Sequence, residues 1–96
     1  MAAFVIADTK IENAEAYEDY KKKARAIAES YGGRYRARGG ELEVIDSELW
    51  SPTRLVIIEF PDLESARAFA RSPEYAPVAK VRHANAKSTV VIVDGI

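Results

Sequence analysis

Apolar residues follow two different patterns along this chain: continuous runs predict strands, and a repeat of three and four predicts a helix. Short runs rich in strand-forming residues cover positions 3–9, 53–60 and 87–95, which predicts three strands. Asn13 is expected to cap a helix after the first strand, and the glycine pair at 32–33 is expected to end it. One apolar stripe with spacings of three and four runs along this helix, and its members are Tyr17, Tyr20, Ala24, Ile27 and Tyr31.

The stretch "YGGRYRARGGELEVI" lies between this helix and the strongest strand. It predicts two strand segments, at 34–38 and 41–46, separated by a glycine pair that is typical of a bulge or bend. Every second residue of the first segment is basic, which places Arg34, Arg36 and Arg38 on one face of a regular strand. Charged side chains of this kind protect an edge strand against pairing with other sheets.

A pairing partner is expected for Arg38. If residues 42–46 form a hairpin with 53–57, its extension brings Arg38 close to Glu59. We therefore predict an ion pair between these two side chains. The alternative is that both belong to a ligand site, with the arginine holding an anionic group.

The second half of the chain predicts two helical pieces and a final strand. Asp62 can cap a short helix, and Ser72 followed by Pro73 is typical of a new helix start, which continues to about Asn85. The resulting order is β-α-β-β-α-β, which predicts one α+β domain over residues 1–96 with a ferredoxin-like fold. Right-handed connections then place both helices on one face of an antiparallel sheet with strand order 4-1-3-2.

Both faces of this predicted sheet are apolar. Val91 and Val93 face one way, whereas Val90 and Ile92 face the other, and the other central strands repeat this pattern. The helices of one chain cover only one face, and an exposed apolar sheet face of this size is typical of an interaction surface. We therefore expect a homodimer that pairs through the open face of the sheet.

Composition narrows the function classes. The chain carries 14 basic and 15 acidic residues, a formal net charge of -1, which disfavours nucleic-acid binding. No apolar run approaches the ~20 residues of a membrane span, and the N-terminus does not resemble a signal peptide, so we expect a cytoplasmic protein. The sequence has no cysteine and one histidine, which excludes disulfides, thiol catalysis and a multi-histidine metal site within one chain.

Several stretches together resemble the DUF1330 family. They are "FVIADTKIENAEAYEDY", "YGGRYRARGGELEVI", "RLVIIEFPDLESARAFARSPEYAP" and the final "VVIVDGI", and they cover nearly the whole chain. The resemblance implies membership of the dimeric α/β-barrel superfamily. The function of this family is unknown, so the resemblance implies a fold and a dimer rather than a reaction.

The predicted topology brings several polar residues to one end of the sheet. Asp8 ends the first strand, Arg82 and His83 end the last helix, and Trp50 lies in a loop at the same end. We predict a pocket between helices and sheet with Asp8 and His83 as catalytic candidates, and Trp50, Arg82, Arg38 and Glu59 as ligand-binding candidates. The alternative is a set of ordinary surface charges near a helix end.

The sequence leaves two main function classes open. The first is a homodimeric small-molecule-binding protein or cofactor-independent enzyme, and the second is a non-enzymatic dimeric interaction module. Neither a Gly-x-Ser-x-Gly elbow nor a phosphate-binding glycine loop is present, and no cofactor is expected.

Overall fold

Four strands and three helices follow one another in the order expected from the sequence. The structure is a computed structural model that describes residues 1–96. Its elements are β1 (Ala3–Ile11), α1 (Ala14–Ser30), β2 (Arg34–Arg38), β3 (Leu55–Phe60), α2 (Leu63–Ala70), α3 (Tyr75–Asn85) and β4 (Ala86–Asp94). The strands form one antiparallel sheet in the order β2-β3-β1-β4. This confirms the ferredoxin-like fold and the strand order 4-1-3-2, with a sheet that stays open in the single chain.

The first two helices begin at the predicted capping residues. Asn13 accepts a hydrogen bond from the Ala16 backbone N–H at 3.2 Å, and Asp62 accepts one from the Ser65 N–H at 2.7 Å. Ser72 Oγ accepts from the Tyr75 N–H at 3.1 Å in the turn before the third helix, whose N-cap position is Glu74. Each side chain satisfies a backbone donor that has no partner inside the helix.

The predicted strand at 41–46 is wrong. Residues 39–54 contain no strand, and they connect β2 directly to β3. The reason is that β3 already pairs with β1 on one side and with β2 on the other. No edge of β3 remains for a further segment, although residues 41–46 carry an apolar pattern that favours a strand.

A bulge in β2 separates the three arginines. Tyr35 lies opposite Ile58 and Ala37 lies opposite Ile57, so Arg36 is an extra residue in the ladder. A bulge of one residue moves every later side chain to the other face of a sheet. The expectation that all three arginines share one face is therefore wrong.

The predicted pair between Arg38 and Glu59 is also wrong, because of this bulge. Glu59 instead pairs with Arg36, whose Nε lies 2.9 Å from Glu59 Oε1. Arg38 lies opposite Val56 on the helix-covered face, and its guanidinium sits 5.8 Å from the centre of the Tyr35 ring.

The two faces of the sheet differ sharply in burial. The helix-covered face holds the core, in which Ala3, Val5, Ile58 and Phe60 pack against side chains of the helices and are buried. The opposite face is also apolar but open, with Val91 48% and Val93 46% exposed.

No helix of the chain is both long and apolar enough to cross a membrane.

Candidate functional site

A cavity of about 70 Å³ lies between the helices and the sheet. It is well above the ~10–15 Å³ that one water molecule needs. Apolar side chains form most of its wall. Those that come from the strands include Val5, Ala7 and Val56, and those from the helices include Tyr20, Ala24 and Phe69.

Three polar side chains form a connected chain of hydrogen bonds at this cavity. The Tyr20 and Tyr75 hydroxyls lie 2.6 Å apart, and Arg82 Nη1 donates to the Tyr75 hydroxyl oxygen at 2.6 Å. Burial raises the pKa of both tyrosines, and it raises the pKa of the neighbouring Tyr35 to about 12. All three phenols are therefore protonated near neutral pH and act as hydrogen-bond donors as well as acceptors.

The helical repeat of α3 places Tyr75 and Arg82 on the same face of the helix. Tyr75, Val78 and Arg82 are the buried residues of the helix and follow one another at spacings of three and four. Residues at these spacings share one face of a helix. Tyr75 and Arg82 are thus two turns apart on the face that packs against α1 and the sheet.

Arg82 is an unusual member of the cavity wall. Its side chain is only 9% exposed, and no carboxylate forms an ion pair with it. Nη2 lies 3.4 Å from His83 Nε2, whereas Nε has no hydrogen-bond partner although it is buried. Buried polar groups normally have partners, so an orphaned guanidinium N–H marks a place where a partner is missing.

Asp8 lies on the other face of the sheet. Side chains alternate along a strand, and the preceding residue, Ala7, lines the cavity. The Asp8 carboxylate accepts hydrogen bonds from Trp50 Nε1 at 2.8 Å and from the backbone N–H groups of Thr53 and Arg54 at 2.8 and 3.0 Å. Desolvation raises the pKa of Asp8, but these hydrogen bonds outweigh it and hold the pKa below its usual range. Asp8 therefore fastens the loop before β3 to the end of β1.

The predicted site residues fall into separate groups. Arg82 and Arg38 line the cavity, whereas Asp8 and Trp50 form the contact just described. His83 is exposed on α3, and Glu59 is held by Arg36. The expected convergence of Asp8 and His83 on the cavity is not formed, and a catalytic role for either stays a prediction.

Sequence reasoning missed the two tyrosines that complete the polar group. The spacing of seven between Tyr75 and Arg82 was the available signal, because it places both side chains on one face of α3.

No group of three or more His, Cys, Asp or Glu side chains is arranged to hold a metal ion.

Several solved structures share this fold. The RPA0582 protein of unknown function from Rhodopseudomonas palustris superposes with a TM-score of 0.76 at 20% identity, over 99% of this chain and 82% of that chain. SnoaB, a cofactor-independent oxygenase from Streptomyces nogalater, gives a TM-score of 0.73 at 14% identity, over 99% and 93% of the two chains. A dimeric ferredoxin-like protein of unknown function from Jannaschia sp. CCS1 gives 0.66 at 15% identity, over 99% and 100%. At these identities the likeness shows the fold alone.

Sequence comparison identifies the family. No curated protein matches the chain. The model of the family described as domain of unknown function DUF1330 matches residues 2–96, nearly the whole sequence. The chain therefore belongs to the DUF1330 family.

Proposed function

We propose that this protein is a homodimer that binds a small molecule in the cavity between its helices and its sheet. The observation that carries the proposal is the cavity itself, with an apolar wall and the connected polar group of Tyr20, Tyr75 and Arg82. Small-molecule sites are typically concave and mostly apolar, with a few polar groups that fix orientation.

The open face of the sheet supports the dimer. Phe4, Ile6 and Ile57 are only partly covered there, and Val91 and Val93 are about half exposed. At ~25 cal/mol per Å², covering such a patch contributes several kcal/mol to association. The similar protein from Jannaschia sp. CCS1 is described as dimeric, which agrees with this proposal.

A cofactor-independent enzyme is the second candidate, and it uses the same cavity. SnoaB, which shares the fold, is described as a cofactor-independent oxygenase. The buried tyrosines and Arg82 supply hydrogen-bond donors in a region of low polarity, where such donors stabilise developing negative charge. In either case Asp8 and Trp50 contribute by holding the loop before β3.

Native mass spectrometry of untagged protein tests the proposal. We expect a mass near twice 10.6 kDa, with a bound small molecule retained at low activation energy. The matched variants are Ala70→Leu, which fills the cavity, and Ala68→Leu, which adds the same side chain to the exposed face of α2. Loss of the bound molecule in the first variant alone supports the cavity as the site.

The contrary outcome is equally specific. If no molecule is retained, and no member of a panel of small metabolites raises the melting temperature of the wild type, the cavity is not a binding site. The dimeric interaction module is then the better description.

A further inference from the structure

We propose that the ligand of this cavity is a small anion, a carboxylate, whose charge is matched by Arg82. This inference rests on the proposed function, because it names the chemical class that the cavity binds. Three independent features of the wall carry it: its charge, the burial of Arg82 and a surplus of hydrogen-bond donors.

The charged residues around the cavity are all basic. They are Lys21, Arg38, Arg54 and Arg82, and no Asp or Glu side chain lines the wall. Lys21 is neutralised by Glu18, whose Oε1 lies 2.9 Å from Lys21 Nζ. The three arginines form no ion pair, so the cavity has an uncompensated positive potential that attracts anions.

Arg82 is the most buried of the three arginines at the cavity. The side chains of Arg38 and Arg54 reach water, whereas Arg82 is 9% exposed. A buried charge is costly unless an opposite charge and hydrogen bonds compensate it. Tyr75 and His83 contact the two terminal nitrogens, but neither is an anion at neutral pH, and Nε has no partner at all. An anionic ligand supplies the missing charge.

The tyrosine pair leaves a second donor free. Each phenol carries one hydrogen, and the Tyr20–Tyr75 hydrogen bond uses one of the two, whichever ring donates it. The Tyr75 oxygen receives the Arg82 donor, so this contact uses neither phenolic hydrogen. One phenolic hydrogen therefore lacks an acceptor in either arrangement. This free phenolic hydrogen offers a donor to one carboxylate oxygen, beside the positive charge of Arg82.

The shape of the wall limits the rest of the ligand. A cavity of about 70 Å³ has room for a short chain. Around the polar group the wall is apolar and aromatic, with Phe69, Val5 and Ala24 among its side chains. A carboxylate on a short aliphatic chain matches this combination.

Pairs of probes that differ only in charge test the inference on the wild-type protein. Acetate is compared with acetamide, and propionate with propionamide, by NMR titration at neutral pH. We expect saturable shifts centred on Tyr20, Tyr75 and Arg82 for the carboxylates, and binding weaker by about tenfold or more for the amides. This comparison needs no substitution and so does not depend on whether a variant folds.

Two variants assign the effect to Arg82. Arg82→Gln removes the charge and should weaken carboxylate binding by about tenfold or more, since a charged hydrogen bond is lost. Arg67→Gln makes the same change on the exposed face of α2, away from the cavity, and should leave carboxylate binding unchanged.

The outcomes separate the inference from the proposed function. If the amides bind in the cavity as tightly as the carboxylates, small-molecule binding stands and the anion inference is overturned. If neither class binds the wild type, the anion inference is overturned, and the screen of neutral and charged metabolites described above then decides the proposed function. Equal loss of carboxylate binding in Arg67→Gln would show a general charge effect and overturn the role of Arg82.

Discussion

A single carboxylate, that of Asp8, fixes the position of the loop that enters β3. It receives three hydrogen bonds, from Trp50, Thr53 and Arg54, and two of the donors are backbone N–H groups. Hydrogen bonds to a charged acceptor are stronger than those between neutral groups. The loop from residue 39 to residue 54 has no regular structure of its own, so this contact is a main determinant of its course.

Replacement of Asp8 should release this loop. We expect Asp8→Ala to lower the free energy of unfolding by about 1 kcal/mol, discounted for partial exposure of the carboxylate. The emission of Trp50, the only tryptophan, should shift to longer wavelength as the indole loses its acceptor. Asp46→Ala, an exposed acid in the same loop, serves as the control in urea unfolding. Equal stability of the two variants would contradict the anchoring role.

The lowered pKa of Asp8 gives this contribution a defined pH dependence. Because the carboxyl has a lower pKa in the folded than in the unfolded chain, its stabilisation is complete above the unfolded value of ~3.9. It disappears as the pH falls through the folded value. The stability difference between the wild type and Asp8→Ala should therefore shrink in strongly acidic buffer.

The sequence predicted the neighbourhood of Asp8 but not the face of the sheet on which it lies. Placing Asp8 and Trp50 at the same end of the sheet was correct, because topology fixes which loops meet there. Side chains alternate between the two faces of the sheet along β1. Ala7 faces the helices, so Asp8 faces the opposite side. Both faces of this strand are apolar, so the sequence pattern gave no means of choosing between them.

At the scale of elements, β2 and the glycine that follows it set the register of the sheet edge. The bulge at Arg36 turns Arg38 toward the helices, and Gly39 then leaves the strand with φ +72°. A Cβ at Gly39 would meet the guanidinium of Arg54. Left-handed backbone of this kind favours glycine.

The two adjacent glycines should respond differently to the same substitution. We expect Gly39→Ala to lower the free energy of unfolding by about 1–2 kcal/mol, the cost of a left-handed conformation with a side chain. Gly40→Ala is the matched control, because its Cβ would meet nothing within 4 Å and its φ is not positive. Its effect should stay within about 0.5 kcal/mol. Equal losses in urea unfolding would show that backbone conformation is not the cause.

Local pattern predicted all the elements of this fold, together with one strand segment that does not form because its formation depends on strand pairing. The capping residues Asn13 and Asp62 and the break at Ser72 have short-range causes, and all three were found in place. The segment 41–46 has a comparable local pattern but no free strand edge to join. Strand pairing is non-local, and a single sequence does not state which of two candidate segments takes an edge.

At the scale of the whole molecule, the sheet separates two surfaces with different proposed roles. Its helix-covered face carries the core and the cavity, and its open face carries the patch proposed to meet a second copy. Val90 and Val91 are neighbours in β4 but lie on different surfaces. Val90 lines the cavity, whereas Val91 lies opposite Ile6 on the open face. The separation means that dimerisation and ligand binding can be perturbed independently.

A charge on the open face should therefore dissociate the dimer without unfolding the chain. Val91 is already 48% exposed, so Val91→Lys leaves the new ammonium group in water in the monomer, whereas a face-to-face dimer would bury it at high cost. Sedimentation at micromolar concentration should give a mass near twice 10.6 kDa for the wild type and near 10.6 kDa for Val91→Lys. Ala68→Lys, on the exposed face of α2, should remain dimeric, and circular dichroism should show all three proteins folded. A monomeric wild type, or a Val91→Lys variant that keeps the dimer mass, would show that the open face does not hold two copies together.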